Sequence, residues 1–288
     1  MTGERLISVN GIDLCVDTFG DAADPVILLL AGMNSSMDGW EPEFCERLAS
    51  GRRYVIRYDH RDTGRSVSYP PGTPRYSGDD LRNDAVGLLD ALGLAQAHVA
   101  GISMGGAIAQ LVALDHPARV ASLTLISTTA GPGDPDLPPA SEGLQAHFAK
   151  ADRPDWSDQA AVIDYIVEDY RPYAARSHPF DATAVRNLAE RVVDRTINIE
   201  SSMTNHGLLE DGAGRWRERL GELSMPTLVI HGDEDPLFPL AHGRALAMEI
   251  PNARLVVMEQ TGHELPRRAW DVVVPAILEH TRAGDPLQ

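Results

Sequence analysis

A serine hydroxyl is a poor nucleophile near neutral pH until a histidine takes its proton, and that histidine needs a carboxylate to hold its tautomer and balance the imidazolium. This chain offers the three groups, each just after an apolar run. Ser103 lies in Gly101-Ile102-Ser103-Met104-Gly105, which ends the run His98–Ile102 and opens a helical pattern from Met104 to Asp115. On such a strand-turn-helix corner a serine is pushed outward, and the free N–H groups of the helix point at whatever it attacks. Gly101, Gly105 and Gly106 leave room for the tight turn and for close helix-strand approach. Downstream, the run Pro226–His231 ends in Gly232-Asp233-Glu234-Asp235-Pro236, a turn rich in carboxylates, and the run Ala253–Glu259 ends in Gln260-Thr261-Gly262-His263-Glu264. The chemistry this set allows is acyl transfer through a covalent serine ester. Among the ten histidines, His263 alone combines a Gly neighbour, a loop after the last strand and the right place in the order. His60, His98, His116, His231, His242 and His280 are read as capping or core residues. Asp233, Glu234 and Asp235 share one loop, so residue type alone leaves the acid open among them.

The elements that must position these residues alternate. Strands are expected near 5–9, 12–18, 26–31, 53–58, 97–102, 122–127, 226–231 and 253–258, and helices near 40–50, 79–93, 104–115, 240–249 and 267–282. That rhythm implies an α/β fold: a mostly parallel eight-stranded sheet flanked by helices, its first two strands an antiparallel edge. Pro275 should kink the last helix or mark a new start. Between 131 and 224 the rhythm breaks. This segment opens with the linker-like Gly131–Pro139 and carries helical patterns over Glu142–Ala151, Ser157–Tyr170 and Ala182–Ile197 without a convincing strand. It is read as an inserted helical cap, 131–224, on a core of 1–130 and 225–288. An insertion there lies over the carboxyl edge of the sheet, where open α/β sheets bind ligands.

Charge and composition narrow the partners. The 25 Lys and Arg against 42 Asp and Glu leave a formal net charge of −17, which repels nucleic acid and anionic membranes and favours neutral over anionic substrates. No apolar run approaches the roughly 20 residues that span a bilayer, and the amino-terminal residues lack a signal peptide pattern, so a cytoplasmic protein is expected. Cys15 and Cys45 have no metal-like spacing and are read as small buried side chains; no metal and no cofactor is expected. The sequence leaves the oligomeric state open.

The order Ser, then Asp, then His, each after a strand, is that of the α/β-hydrolases, and the chain resembles that superfamily over nearly its whole length. Within it, the chain is similar to the aclacinomycin methylesterase group of anthracycline-tailoring enzymes. The likeness is carried by Arg57–Ser66, Gly101–Gly105, Ala113–His116, Pro226–Ile230, Asp235-Pro236, Gly262-His263 and the tail His280–Arg282. The resemblance implies Asp235 as the acid, with Asp233 a turn residue, and an oxyanion hole made of the backbone N–H groups of Met104 and Met33. Many relatives begin the latter loop with His-Gly, where this chain has Ala31-Gly32. The loop Asp59–Ser66 is then a structural turn with an arginine-carboxylate clasp. Gly32, Asn34 and Trp40 are candidate substrate contacts. Met33, with Trp156, Tyr165, Tyr170 and Tyr173 of the cap, could line an apolar pocket, whereas Asn205-His206 is read as an ordinary loop. The resemblance implies a cofactor-free serine hydrolase that cleaves a carboxylic ester of a small apolar molecule, with a polyketide as one candidate, through an acyl-enzyme on Ser103. A lactonase, a carbon-carbon hydrolase or a perhydrolase on the same three residues, or a ligand-binding protein on the same scaffold, would share the pattern.

Overall fold

Strict alternation along the central strands gives the sheet a core on each face. The computed structural model describes residues 3–131, 133–150, 153–209 and 214–283. Its strands are β1 Arg5–Val9, β2 Ile12–Phe19, β3 Val26–Leu30, β4 Tyr54–Tyr58, β5 Ala97–Ile102, β6 Val120–Ile126, β7 Thr227–Gly232 and β8 Arg254–Met258. They form one sheet in the order β1-β2-β4-β3-β5-β6-β7-β8. β2 pairs antiparallel with both β1 and β4, and the remaining pairs are parallel. The helices are α1 Pro42–Ser50, α2 Gly78–Ala91, α3 Met104–Asp115, α4 Glu142–Phe148, α5 Gln159–Tyr170, α6 Ala182–Arg195, α7 Ile199–Thr204, α8 Ala241–Glu249 and α9 Trp270–Ala283.

In β3 all five residues are buried. Leu28 and Leu30 pack with Leu81 and Leu88 of α2 and Ile108 and Val112 of α3, whereas Ile27 and Leu29 pack with Phe44 and Leu48 of α1 and Trp270, Val273 and Ile277 of α9. A strand buried on both faces is the signature of a parallel sheet covered by helices. The expected strands and the five flanking helices all form, with ends shifted by up to three residues. α9 runs without interruption through Pro275, so this proline starts no new helix. It sits early in the helix and is exposed. The carbonyl its ring leaves unbonded, that of Asp271, belongs to an exposed residue and has water within reach.

The helical segment between β6 and β7 has a small core of its own, in which Val162, Ile166 and Val167 of α5 meet Ala189 and Val193 of α6. Side-chain caps start its helices: Ser141 for α4, Asp158 for α5, Asp181 for α6 and Asn198 for α7. Of the expected helix over Glu142–Ala151 the structure has α4, and Ala151 lies outside the described residues, as does Pro132 of the expected linker. α7 was not expected from the sequence. The end of the segment packs in the core beside α3 through Trp216, Leu220 and Leu223, and its helical part touches the loops at the carboxyl ends of the strands. Ile197 N–H reaches Gly64 O, Ser141 N–H reaches Pro236 O, and the Glu234 carboxylate accepts from Arg176 and Ser177 N–H. Among the described residues no helix is long and apolar enough to cross a membrane.

Candidate active site

Ser103 stands at the junction of β5 and α3 with φ 53° and ψ −119°, a conformation that L-residues avoid at a cost of about 1–3 kcal/mol. The surroundings hold it there. Its N–H donates to Ile126 O at 3.0 Å, and its carbonyl accepts from Gly106 N–H at 2.9 Å and from the Thr128 hydroxyl at 2.8 Å. A Cβ at Gly101 would strike the Gly105 carbonyl, and one at Gly105 would strike the carbonyls of Leu30 and Ala31, so these two glycines let β3, β5 and α3 meet. Serine is a favoured helix cap, yet Ser103 makes no side-chain cap bond to α3. Its hydroxyl lies 2.9 Å from His263 Nε2 instead.

His263 sits on the loop after β8, where its N–H donates to Tyr173 O at 2.8 Å. Its Nδ1 is 2.8 Å from Asp235 Oδ2. Asp235 follows β7, and its side chain is wholly buried. Its other oxygen, Oδ1, accepts the N–H groups of Leu237 and Phe238, both at 2.9 Å. Burial pushes this carboxyl up, but the neighbouring His263 and His231 and the Phe238 N–H outweigh it and hold Asp235 below the usual carboxylate range. An ionised carboxylate can only accept, so His263 Nδ1 carries the hydrogen and Nε2 is left to accept from Ser103. The structure thus brings Ser103, His263 and Asp235 into one hydrogen-bonded line from three separate strand ends. The two other acids of that loop serve elsewhere: Asp233 accepts Thr261 N–H and Glu234 binds Arg176 and Ser177.

The loop after β3 closes over the serine. The Gly32 backbone lies against it, so that a Cβ on Gly32 would come 3.5 Å from Ser103 Cβ. Gly32 O accepts Ser35 N–H at 3.2 Å, which makes a tight turn in which Asn34 takes φ 59°, a left-handed conformation that asparagine tolerates. Met33 is 50% exposed at its apex, while Met104, first residue of α3, has an N–H without an intrahelical acceptor by its position.

The family is shown by comparison with known proteins. A family profile described as alpha/beta hydrolase fold matches residues 25–266. The chain belongs to the α/β-hydrolase family. It is 35% identical to a rhodomycin D methylesterase of Streptomyces sp. (strain C5) and 34% identical to that of Streptomyces peucetius, in both cases across 97% of this chain and 98% of the relative. Among solved structures it is similar to a meta-cleavage product hydrolase from Pseudomonas fluorescens IP01, at 23% identity, TM-score 0.75 and 99% coverage of each chain. It also resembles a thermophilic esterase from Thermogutta terrifontis, at 24% identity, TM-score 0.74 and coverage of 99% of this chain and 100% of that one. At such identities the structural likeness speaks to the α/β-hydrolase fold alone.

Some candidate contacts fall elsewhere in this α/β-hydrolase. Trp40 is 1% exposed and stacks on Phe44 at 5.7 Å within the core between the sheet and α1, so it does not face a pocket. Its large apolar ring is worth more in the core than at an open cleft. Trp156 and Tyr165 pack edge to face inside the helical segment, and Tyr170 supports the same cluster. Tyr173 is different: its ring is 5.9 Å from that of His263, with Phe238 at 5.5 Å on another approach and Phe148 6.2 Å beyond Tyr173. Phe148 and Phe238 were not singled out from the sequence, where nothing in their spacing sets them apart. The sequence reads His206 as an ordinary loop residue, yet it is buried against the turn after β3, with Nδ1 3.1 Å from Asn34 N. The only hint of it in the sequence was the missing His before Gly32, which leaves that turn in need of another support.

The loop after β4 is a charged clasp. Asp59 is buried and accepts the N–H groups of Met37 and Arg65, and its carboxylate is paired with Arg195 at the end of α6. Arg195 also reaches Asp38 at 2.8 Å and Glu4 at 2.6 Å. Arg61 is paired with buried Asp84. Cys15 and Cys45 are free and buried, and among the described residues no group of acidic, histidine and cysteine side chains is placed to hold a metal ion.

Proposed function

We propose that this chain is a serine esterase that removes methanol from the methyl ester of rhodomycin D or a molecule like it, with the helical segment 131–224 acting as a cap over the site. The reading is carried by the Ser103–His263–Asp235 line in a chain that aligns over 97% of its length with two rhodomycin D methylesterases. Ser103 Oγ attacks the ester carbonyl carbon while its proton passes to His263 Nε2, and Asp235 holds the imidazolium by its Nδ1–H. The carbonyl oxygen becomes an oxyanion, which the N–H groups of Met33 and Met104 receive; each such donor is typically worth about 3 kcal/mol in the transition state. Collapse breaks the bond to the methoxy oxygen, which leaves as methanol with the proton from His263. Water, deprotonated by the same histidine, then attacks the acyl carbon and releases the free acid and Ser103.

Phe148 and Met33, each about half exposed, and Tyr173 and Phe238 beside His263 supply apolar surface for the rest of the substrate. A neutral ester enters this acidic molecule without penalty, and the anionic product is repelled by its field. The scheme needs no cofactor.

Incubation with rhodomycin D tests the proposal, with methanol release and the free acid as readouts. Wild-type protein should yield both and Ser103→Ala neither. Turnover of simple p-nitrophenyl esters with rhodomycin D left intact would reject the substrate class, and full turnover by Ser103→Ala would reject the serine mechanism.

A further inference from the structure

The turn that carries Met33 has little support of its own. One hydrogen bond closes it, from Ser35 N–H to Gly32 O, and Asn34 sits in it at positive φ. Its remaining supports come from other parts of the chain. From the loop after β4, His60 Nε2 lies 3.3 Å from Ala31 O. From the cap, Met203 O accepts the Asn34 side-chain Nδ2 at 3.2 Å, Tyr170 shares a hydrogen bond with the Ser35 hydroxyl, and His206 Nδ1 accepts the Asn34 backbone N–H at 3.1 Å. The other ring nitrogen of His206, Nε2, lies 2.8 Å from the carbonyl of Arg61.

A ring placed between a carbonyl and an N–H group has one satisfied form. Nε2 must donate and Nδ1 must accept, so His206 is the neutral Nε2–H tautomer. Its side chain is 2% exposed. The groups that face it are His60, with ring centroids 6.2 Å apart, Asp62 and the Arg61 carbonyl from the loop after β4, Tyr76 at 6.3 Å from the stretch before α2, and Asn34 itself. Burial lowers its affinity for a proton, which agrees with the neutral form. The guanidinium of Arg61 is engaged by Asp84 and leaves the ring alone.

We infer that His206 is a positioning residue: by holding Asn34 N–H it fixes the peptide that follows Met33, so that docking of the cap and assembly of the oxyanion hole are one event. The inference rests on the assignment of Met33 N–H as an oxyanion donor. Without His206, Met33 still has its N–H, but the turn is free to rotate it away from the Ser103 side of the site. The effect should therefore fall on the transition state and spare ground-state binding.

The test compares wild type, His206→Phe and His206→Asn on a short-chain p-nitrophenyl ester, with Ser103→Ala as the blank. Asparagine can place Oδ1 near the position of Nδ1 and accept the same N–H, whereas phenylalanine fills the space without an acceptor. His206→Phe should lower kcat by about 10- to 100-fold, below the ~10²–10³ seen when an oxyanion donor is removed outright, with KM changed less than about threefold. His206→Asn should recover to within about threefold of wild type. Exchange of the Asn34 amide hydrogen gives a readout that does not depend on turnover: slow in wild type and His206→Asn, fast in His206→Phe. Should His206→Phe fail to fold, the ¹⁵N shifts of the wild-type imidazole and the Asn34 exchange rate decide the matter. A free-exchanging Asn34 amide, a protonated Nδ1, wild-type kinetics in His206→Phe, or an asparagine variant as slow as the phenylalanine one would overturn the assignment. A Ser103→Ala protein with undiminished turnover would overturn the serine mechanism instead, leaving the exchange data to judge the brace.

Discussion

In the proposed mechanism the nucleophile side and the oxyanion side of the site are built by different means. Ser103, Asp235 and His263 stand at the ends of β5, β7 and β8, and the sheet fixes their spacing through parallel pairs with β6 between them. The turn Ala31–Ser35 also follows a strand, but its conformation is held from the segment between β6 and β7, by the His206 ring, the Met203 carbonyl and the Tyr170 side chain. One side rests on the sheet, in which β5 and β7 are buried almost throughout, and the other on a segment with a small core of its own.

Substitutions on the sheet side should have the largest effects. Ser103→Ala removes the nucleophile, and kcat should fall by about 10⁶, the scale seen for a protease triad. Survival of more than a tenth of the rate would place the nucleophile elsewhere. Asp235→Asn keeps the shape but can donate where it should accept, reversing the His263 tautomer; a loss of about 10⁴ in kcat is expected, measured against unchanged thermal stability. A loss below tenfold would mean that the tautomer is set by another group.

On the side of the segment between β6 and β7 the expected effects are on stability. Arg195, 9% exposed, pairs α6 with Asp59 and Asp38 of the core. Arg195→Leu strands the Asp59 carboxylate, which burial already pushes up even with Arg195 beside it, and should cost about 3–5 kcal/mol in a denaturant titration at neutral pH. A buried carboxyl without its cation takes up a proton more readily than the unfolded chain does, so the deficit should shrink on acidification. A constant deficit from pH 8 to pH 5 would show that lost packing, rather than the stranded charge, is responsible.

A smaller effect links the two sides through their histidines. Burial lowers the proton affinity of His60 to about 3 and of His280 to about 4, and it lowers His206 and His231 as well. A histidine that stays neutral when folded but titrates near 6.5 when unfolded contributes stability above that pH and loses it as the pH falls. The unfolding free energy should therefore decline from about pH 6.5 downward, by about 1.4 kcal/mol per pH unit for each such residue once well below 6.5. A melting temperature that stays level or rises from pH 6.5 to 5 would contradict the neutral assignment, that of His206 included.

The same division governs what could be read from the sequence. Strand alternation, the glycines around Ser103 and the chain order of serine, acid and histidine are local or follow from βα rhythm, and all were legible. The choice of Asp235 over its neighbours needed the family resemblance, because three acids on one turn look alike until the pairing with His263 is seen. The contacts between the helical segment and the turn after β3 left no such trace. Asn34 and His206 are 172 residues apart, and no periodicity links them. Trp40 and Tyr173 show the limit from both directions: aromatic rings of equal promise in sequence, one fills the core and the other flanks His263. The new start that Pro275 allowed for did not occur for a related reason, since the bond it removes belongs to an exposed turn of α9.

In the proposed mechanism Ser103 is a nucleophile activated by His263 at the edge of the sheet. Labelling with a fluorophosphonate, followed by intact mass and peptide mapping, tests it without knowledge of the substrate. One adduct on the peptide that contains Ser103, absent in Ser103→Ala and strongly slowed in His263→Ala, is the predicted result. A folded wild-type protein that takes up no label, or carries it on another residue, would contradict the account.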